Sequence, residues 1–179
     1  MFLDEDIKIV GDKPSLDVKK NLNNPAKLEK VSDEVQTKAE QWGRDVALEF
    51  IADANENPLS EEIGNDILIQ RRLLISFTAT VGFEEFAPDD TVVGIAQKSF
   101  LDTLKSKDDE LYKTSTDTGA FSFYYLAYRR GGETERRIGQ TFAMLCSHDG
   151  DPIFQELGEA LYCWFSSVVK NKTQELGLG

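Results

Sequence analysis

Between residues 28 and 50 the apolar side chains recur every three or four positions: Leu28, Val31, Val35, Ala39, Trp42, Val46 and Phe50. An α-helix turns once in about 3.6 residues, so these seven fall on one stripe, whereas a strand would divide them between two faces. A stripe that long cannot remain in water. It must be covered by other elements, and the rest of the chain has to supply them. The segment "NENP", ending at Pro58, closes this helix because proline cannot continue it.

Similar spacing recurs downstream. Ser60 followed by Glu61 and Glu62 predicts a helix start, with a hydroxyl cap and an acidic first turn. Ile63, Ile67, Leu74, Ile75 and Val81 continue it as one broad face. After "APDD" a third helix carries Val92, Val93, Ala96, Phe100 and Leu104. "KSKDDELYKTSTDTG" reads as a loop or a short helical turn. In "AFSFYYLAYRR", Phe121, Tyr124, Tyr125 and Tyr128 share a helical face while Phe123 and Leu126 lie opposite, which predicts a central helix apolar nearly all round. Aromatic richness also suits a strand, with Gly131 and Gly132 turning a hairpin. Helix is preferred, because Ile138, Phe142, Leu145 and Cys146 follow with helical spacing. In the last helix Asp151 is the cap and Pro152 takes the first turn, with a stripe of Ile153, Leu157, Ala160, Leu161, Trp164, Phe165 and Val168.

Residues 1–27 mix Gly, Pro, Asn and Lys with few large apolar side chains and predict an irregular arm, with a short strand at 7–10. The expected fold is therefore all-α. A single compact domain of about six helices, packed as an irregular antiparallel bundle, spans residues 28–179. A chain of 179 residues is long enough to build such a core without metals or disulfides.

The charge balance narrows the partners. With 32 acidic and 20 basic residues the formal net charge is -12, which opposes a phosphate backbone or an anionic membrane. Acidic mimicry of nucleic acid is the one role that would use this sign. Cys146 and Cys163 form no Cys-x-x-Cys pair and do not sit among several histidines, which predicts two reduced, largely buried thiols in a reducing cytoplasm. The start "MFLDEDIKIV" lacks the apolar run of a secretory signal, and the apolar C-terminal stretch is interrupted by Glu156 and Glu159. These observations together predict a cytoplasmic protein with no membrane span.

Candidate chemistry is sparse. His148 is the single histidine, so paired-histidine metal sites are excluded, and "SHDGD" reads as an interhelical turn. No phosphate-binding glycine loop or nucleophile elbow is present. Residues 53–64 place Asp53, Asn55 and Asn57 at alternate positions like a calcium loop. However, Pro58 stands where that loop needs glycine and Gly64 where it needs a bidentate glutamate. No metal and no cofactor is expected.

Arg71 is the sharpest polar anomaly. Helical spacing sets it between Ile67, Leu74 and Ile75, with Gln70 beside Phe77 and Val81 and Arg72 nearer the edge. A guanidinium among apolar side chains requires a carboxylate or carbonyls, and Glu84, Glu85 and Asp53 are candidate partners. The alternative is an interhelical ligand pocket in which Arg71 holds an anion and Gln70, Tyr124 and Tyr128 line the walls. A second, weaker anion site is the "YRRGGETERR" segment, with Arg129, Arg130, Arg136 and Arg137. Each of those charges also suits a helix-Gly-Gly-helix turn, with cations at one helix end, Glu133 and Glu135 at the next helix start, and a Glu133–Arg137 pair. With no catalytic constellation, the expected function is a non-catalytic cytoplasmic protein-interaction or regulatory module, engaging a protein partner or a second copy of itself. An anionic-ligand binder or enzyme at Arg71 is the rival.

Overall fold

The computed structural model describes residues 31–60, 62 and 64–179. The expected N-terminal arm, together with Leu28, Glu61 and Ile63, lies outside the described residues. Residues Val31–Gly179 form one unit of seven helices: α1 (Asp33–Glu56), α2 (Asn65–Phe86), α3 (Asp90–Lys107), α4 (Asp109–Thr116), α5 (Ser122–Arg129), α6 (Thr134–Leu145) and α7 (Pro152–Glu175). No strand occurs among the described residues. The fold is all-α, and residues 120–146 form two helices rather than a hairpin.

Local chemistry starts most of these helices. Ser32 Oγ accepts from the Val35 amide at 3.3 Å, and Asp89 accepts from Thr91 and Val92 at 2.9 Å each. Asp108 accepts from Leu111 at 3.0 Å, and the segment expected as a loop or short helical turn holds a two-turn helix, α4. Asp151 accepts from Ile153 at 2.9 Å, with Pro152 at the first helical position as expected. Ser60 departs from expectation. Its hydroxyl accepts from the Glu62 amide in a local turn, and α2 begins only at Asn65, after Gly64 at φ 89°. A side-chain cap acts only on the turn it touches, so Ser60 stabilises a bend rather than the helix.

α2, rather than α5, is the central helix. Residues 73–79 are buried without a break, and no charged residue occurs from 73 to 83. Its Ile75, Ala79 and Phe83 enter a core shared with Trp42, Val46 and Phe50 of α1, with α3 and with the later turns of α7. Its Leu73, Leu74, Phe77 and Val81 enter a second core with Tyr124 of α5, Ile138 and Phe142 of α6, and Leu161 of α7. Because residues 73–79 are buried on every side of α2, polar groups in and beside that stretch need internal partners. Ser76 donates to Ser115 of α4 at 2.7 Å, Thr78 to the Leu74 carbonyl at 2.7 Å and Thr80 to the Ser76 carbonyl at 3.0 Å. α5 lies instead against one face of the molecule, with Phe123 53% and Leu126 59% exposed. It is two turns long, and only Tyr124 and Ala127 within it, with Phe121 just before, are buried.

Sequence neighbours pack closely at the end of the chain but not at its start, where α1 makes far less contact with α2 than with α3. α1 packs chiefly on α3, and α7 on α6 and α2. Gly43 permits the first pairing, since a Cβ there would collide with the Ala96 carbonyl and sit 2.9 Å from the Phe100 amide. The Trp42 indole donates to the Val169 carbonyl at 3.0 Å and ties α1 to α7.

Candidate functional site

Arg71 sits where helical spacing places it, and its partner is Asp53 from the last turn of α1. Its Nε donates to Asp53 Oδ2 at 3.1 Å and its Nη2 to Oδ1 at 2.5 Å, a bidentate pair in which the carboxylate is buried. Asn57 Nδ2 reaches the same carboxylate at 3.3 Å and the Asp53 carbonyl at 2.9 Å. The anion that occupies Arg71 is therefore a side chain of the same protein. This arrangement also commits the acidic member of the calcium-like segment to an arginine.

The other members of the suggested pocket lie elsewhere. Tyr124 stacks on Phe77 with centroids 5.4 Å apart, and Tyr128 meets the same ring edge-on at 6.2 Å. Phe77 also gathers Phe121 and Tyr125, so the tyrosines pack as an aromatic cluster in the second core. Burial drives the Tyr124 hydroxyl pKa far upward, and Tyr128 is raised by burial and by Glu85 and Glu84. Neither ionises near neutrality. Gln70 Oε1 and Tyr124 Oη are buried with no hydrogen-bond partner among the described residues.

Arg72 is the residue that spacing underrated. Its side chain is only 13% exposed and lies 3.6 Å from Glu110 of α4. The signal was hidden because Glu110 falls in the segment read as a loop or short helical turn, which has no face to assign. Once α4 is helical, Arg72–Glu110 and Ser76–Ser115 form successive contacts along the α2–α4 seam.

The arginine-rich segment is a turn between α5 and α6. Gly131 and Gly132 adopt φ 63° and 52°, a backbone most side chains disfavour, and Glu133 continues it at 48° as the residue preceding α6. Glu133 does not reach Arg137. It lies 3.5 Å from Arg136, while Arg137 donates to the Gly131 carbonyl and closes the turn. The left-handed backbone at Glu133 places its side chain before the helix, which removes the four-residue spacing that the pair required. Arg129 lies over the Tyr125 ring at 5.3 Å. The Arg129, Arg136 and Arg137 contacts all fall within residues 125–137, whereas that of Arg71 lies on α1. Arg130 and Arg137 also border a shallow groove of about 380 Å³ between α5 and α6, floored by Leu126, Ala127 and Met144.

His148 belongs to the α6–α7 turn. Its ring stacks on Phe154 at 3.7 Å, its amide donates to the Ala143 carbonyl at 2.8 Å, and Nδ1 is 3.9 Å from Asp151. No group of three or more potential metal ligands occurs among the described residues. No described helix is long and apolar enough to cross a membrane.

The most distinctive surface is on α7, where the expected single stripe divides in two. Leu161 and Phe165 turn inward with Gly158, Tyr162 and Val169. Ile153, Leu157 and Trp164 turn outward and are 74%, 38% and 41% exposed, with Ala160 exposed between them. The division has a packing cause. Apolar residues cover more than half the circumference of α7, and its contacts with α2 and α6 can bury only the side facing them. The outward residues are spaced by four, three and four positions, which is the seam spacing of paired helices.

No protein-family model matches this sequence, and no curated protein or solved structure matches it either.

Proposed function

We propose that this protein is a non-catalytic helical interaction module whose contact face is the outward stripe of α7. The observation that carries the reading is the row of Ile153, Leu157, Ala160 and Trp164 left in solvent on a helix whose opposite side is fully packed. Scattered exposed apolar residues are ordinary on a protein surface, but a row at seam spacing along a long rigid helix is a preformed docking edge. Trp164 supplies the kind of large, stiff anchor that dominates helix-in-groove and helix-on-helix contacts. The stripe is complementary to itself, so a second copy is the partner to test first.

The competing reading places an anionic ligand at Arg71. It lacks this support, because Asp53 already takes the Nε–Nη2 edge of the guanidinium and neutralises its charge.

Sedimentation equilibrium tests the interaction reading. The wild-type chain should form dimers with a micromolar dissociation constant, and Ile153→Asp with Trp164→Asp in one chain should be monomeric with the same helical circular dichroism. A wild-type monomer at about 200 µM, a concentration well above micromolar affinity, would sink it.

A further inference from the structure

We propose that a recess enclosed by α2, α3, α4 and the start of α5 binds a small, neutral, monocyclic aromatic molecule that carries one hydrogen-bonding group, a phenol being the simplest. The recess has a volume of about 160 Å³, and its walls include the rings of Phe83, Phe100, Phe121 and Tyr125. An apolar cavity of roughly 150 Å³ accommodates one benzene ring, so the space suits a single ring and excludes a fused polycycle. Aromatic walls favour a flat ligand, through edge and offset contacts.

The polar groups set the second requirement. Thr80, Gln97, Ser115 and Thr118 border the same space. Thr80 already donates its hydroxyl proton to the Ser76 carbonyl, and Ser115 accepts from Ser76 Oγ, so the Ser115 proton, the Gln97 amide and the hydroxyl of the exposed Thr118 are the groups free to meet a ligand. No charged side chain borders the recess among the described residues. An ionised ligand would lose its hydration with no compensating charge, and this disfavours carboxylates and ammonium ions. A purely apolar ligand would leave the proton of the buried Ser115 without a partner. This site is independent of the α7 stripe, which lies on other residues.

The test is a titration of the full chain with phenol, toluene and benzoate, followed by amide chemical shifts. Phenol should bind saturably with a dissociation constant of a few millimolar or tighter, with the largest shifts at Gln97, Ser115 and Phe121. Benzoate should bind at least about ten-fold more weakly. Leu101→Trp fills the recess from its half-buried wall and should weaken phenol at least about ten-fold. Gln97→Leu, a milder change at a half-buried position, should reduce the preference for phenol over toluene. Non-saturating shifts up to about 20 mM phenol, equal binding of benzoate, or unchanged phenol affinity in a folded Leu101→Trp protein would each overturn the assignment.

Discussion

Asp53 ties the end of α1 to α2, because its two oxygens meet two guanidinium donors of Arg71. Truncating one partner of such a pair leaves the other charged and poorly solvated, at a cost of about 3–5 kcal/mol when both are fully buried. Arg71 keeps about a fifth of its side-chain surface in water (21%), so the loss is smaller. Asp53→Ala should lower unfolding free energy by about 2–4 kcal/mol in urea titrations, with an unchanged denaturant slope. Adding Arg71→Met should restore most of that loss, since no stranded charge remains. A cost below about 1 kcal/mol for Asp53→Ala would show that the pair behaves as a surface bridge. At this scale the sequence exposed Arg71 as anomalous, through its place in an apolar stripe. It left Asp53, Glu84 and Glu85 as equal candidates, because eighteen residues and a bend separate donor from acceptor.

Among the elements, the α6–α7 pair is set by close approach. Gly139 faces the Gln155 carbonyl so closely that a Cβ would collide with it, and it would also lie 3.1 Å from the Glu159 amide. Gly139→Ala should therefore lower the melting temperature by about 3–10 °C, because the helices must move apart even though alanine is the better helix former. Gly94 is the control, being exposed on α3 with nothing within 4 Å of a built Cβ. Gly94→Ala should stabilise by about 0.5–1 kcal/mol. Equal effects at the two sites would contradict this packing account. Periodicity located six helices and left the seventh, α4, as a loop or turn. It misjudged α5 as central because ring content measures apolarity, not contact, and an eight-residue helix presents too few turns to be enclosed. The clearer sign was in α2, where 73–83 carries no charge.

For the whole molecule, burial holds the proton on the Cys146 thiol and on the Tyr124 and Tyr162 hydroxyls, and these groups fix how stability responds to alkali. Burial pushes the Cys146 thiol up to about 11, from an ordinary value of 9.0, and raises the Tyr162 and Tyr124 hydroxyls further. The unfolded chain loses the Cys146 proton near pH 9 while the folded chain keeps it. Above that pH the folded state binds more protons, and stability falls as pH rises. The slope is at most about 1.4 kcal/mol per pH unit from Cys146 between pH 9 and 11, and it steepens above about pH 10 as the unfolded tyrosines ionise. Thermal melts from pH 7 to 10.5 should show a plateau and then a decline, with the pH 9–10 part flattened in Cys146→Ala. A melting temperature constant to pH 10.5 would contradict the burial of these groups.

The sequence by itself determined that the chain is helical, where most helices begin and end, and that Arg71 needs a carboxylate or carbonyls. Those properties arise from interactions within a few turns, namely 3.6-residue periodicity, caps and proline breaks. Only the tertiary structure decided that α2 is central, that Asp53 is the partner, and that α7 turns half of its apolar surface outward. Each of these depends on which surfaces meet across long sequence separations. Helix packing selects among faces that the local pattern makes nearly equivalent.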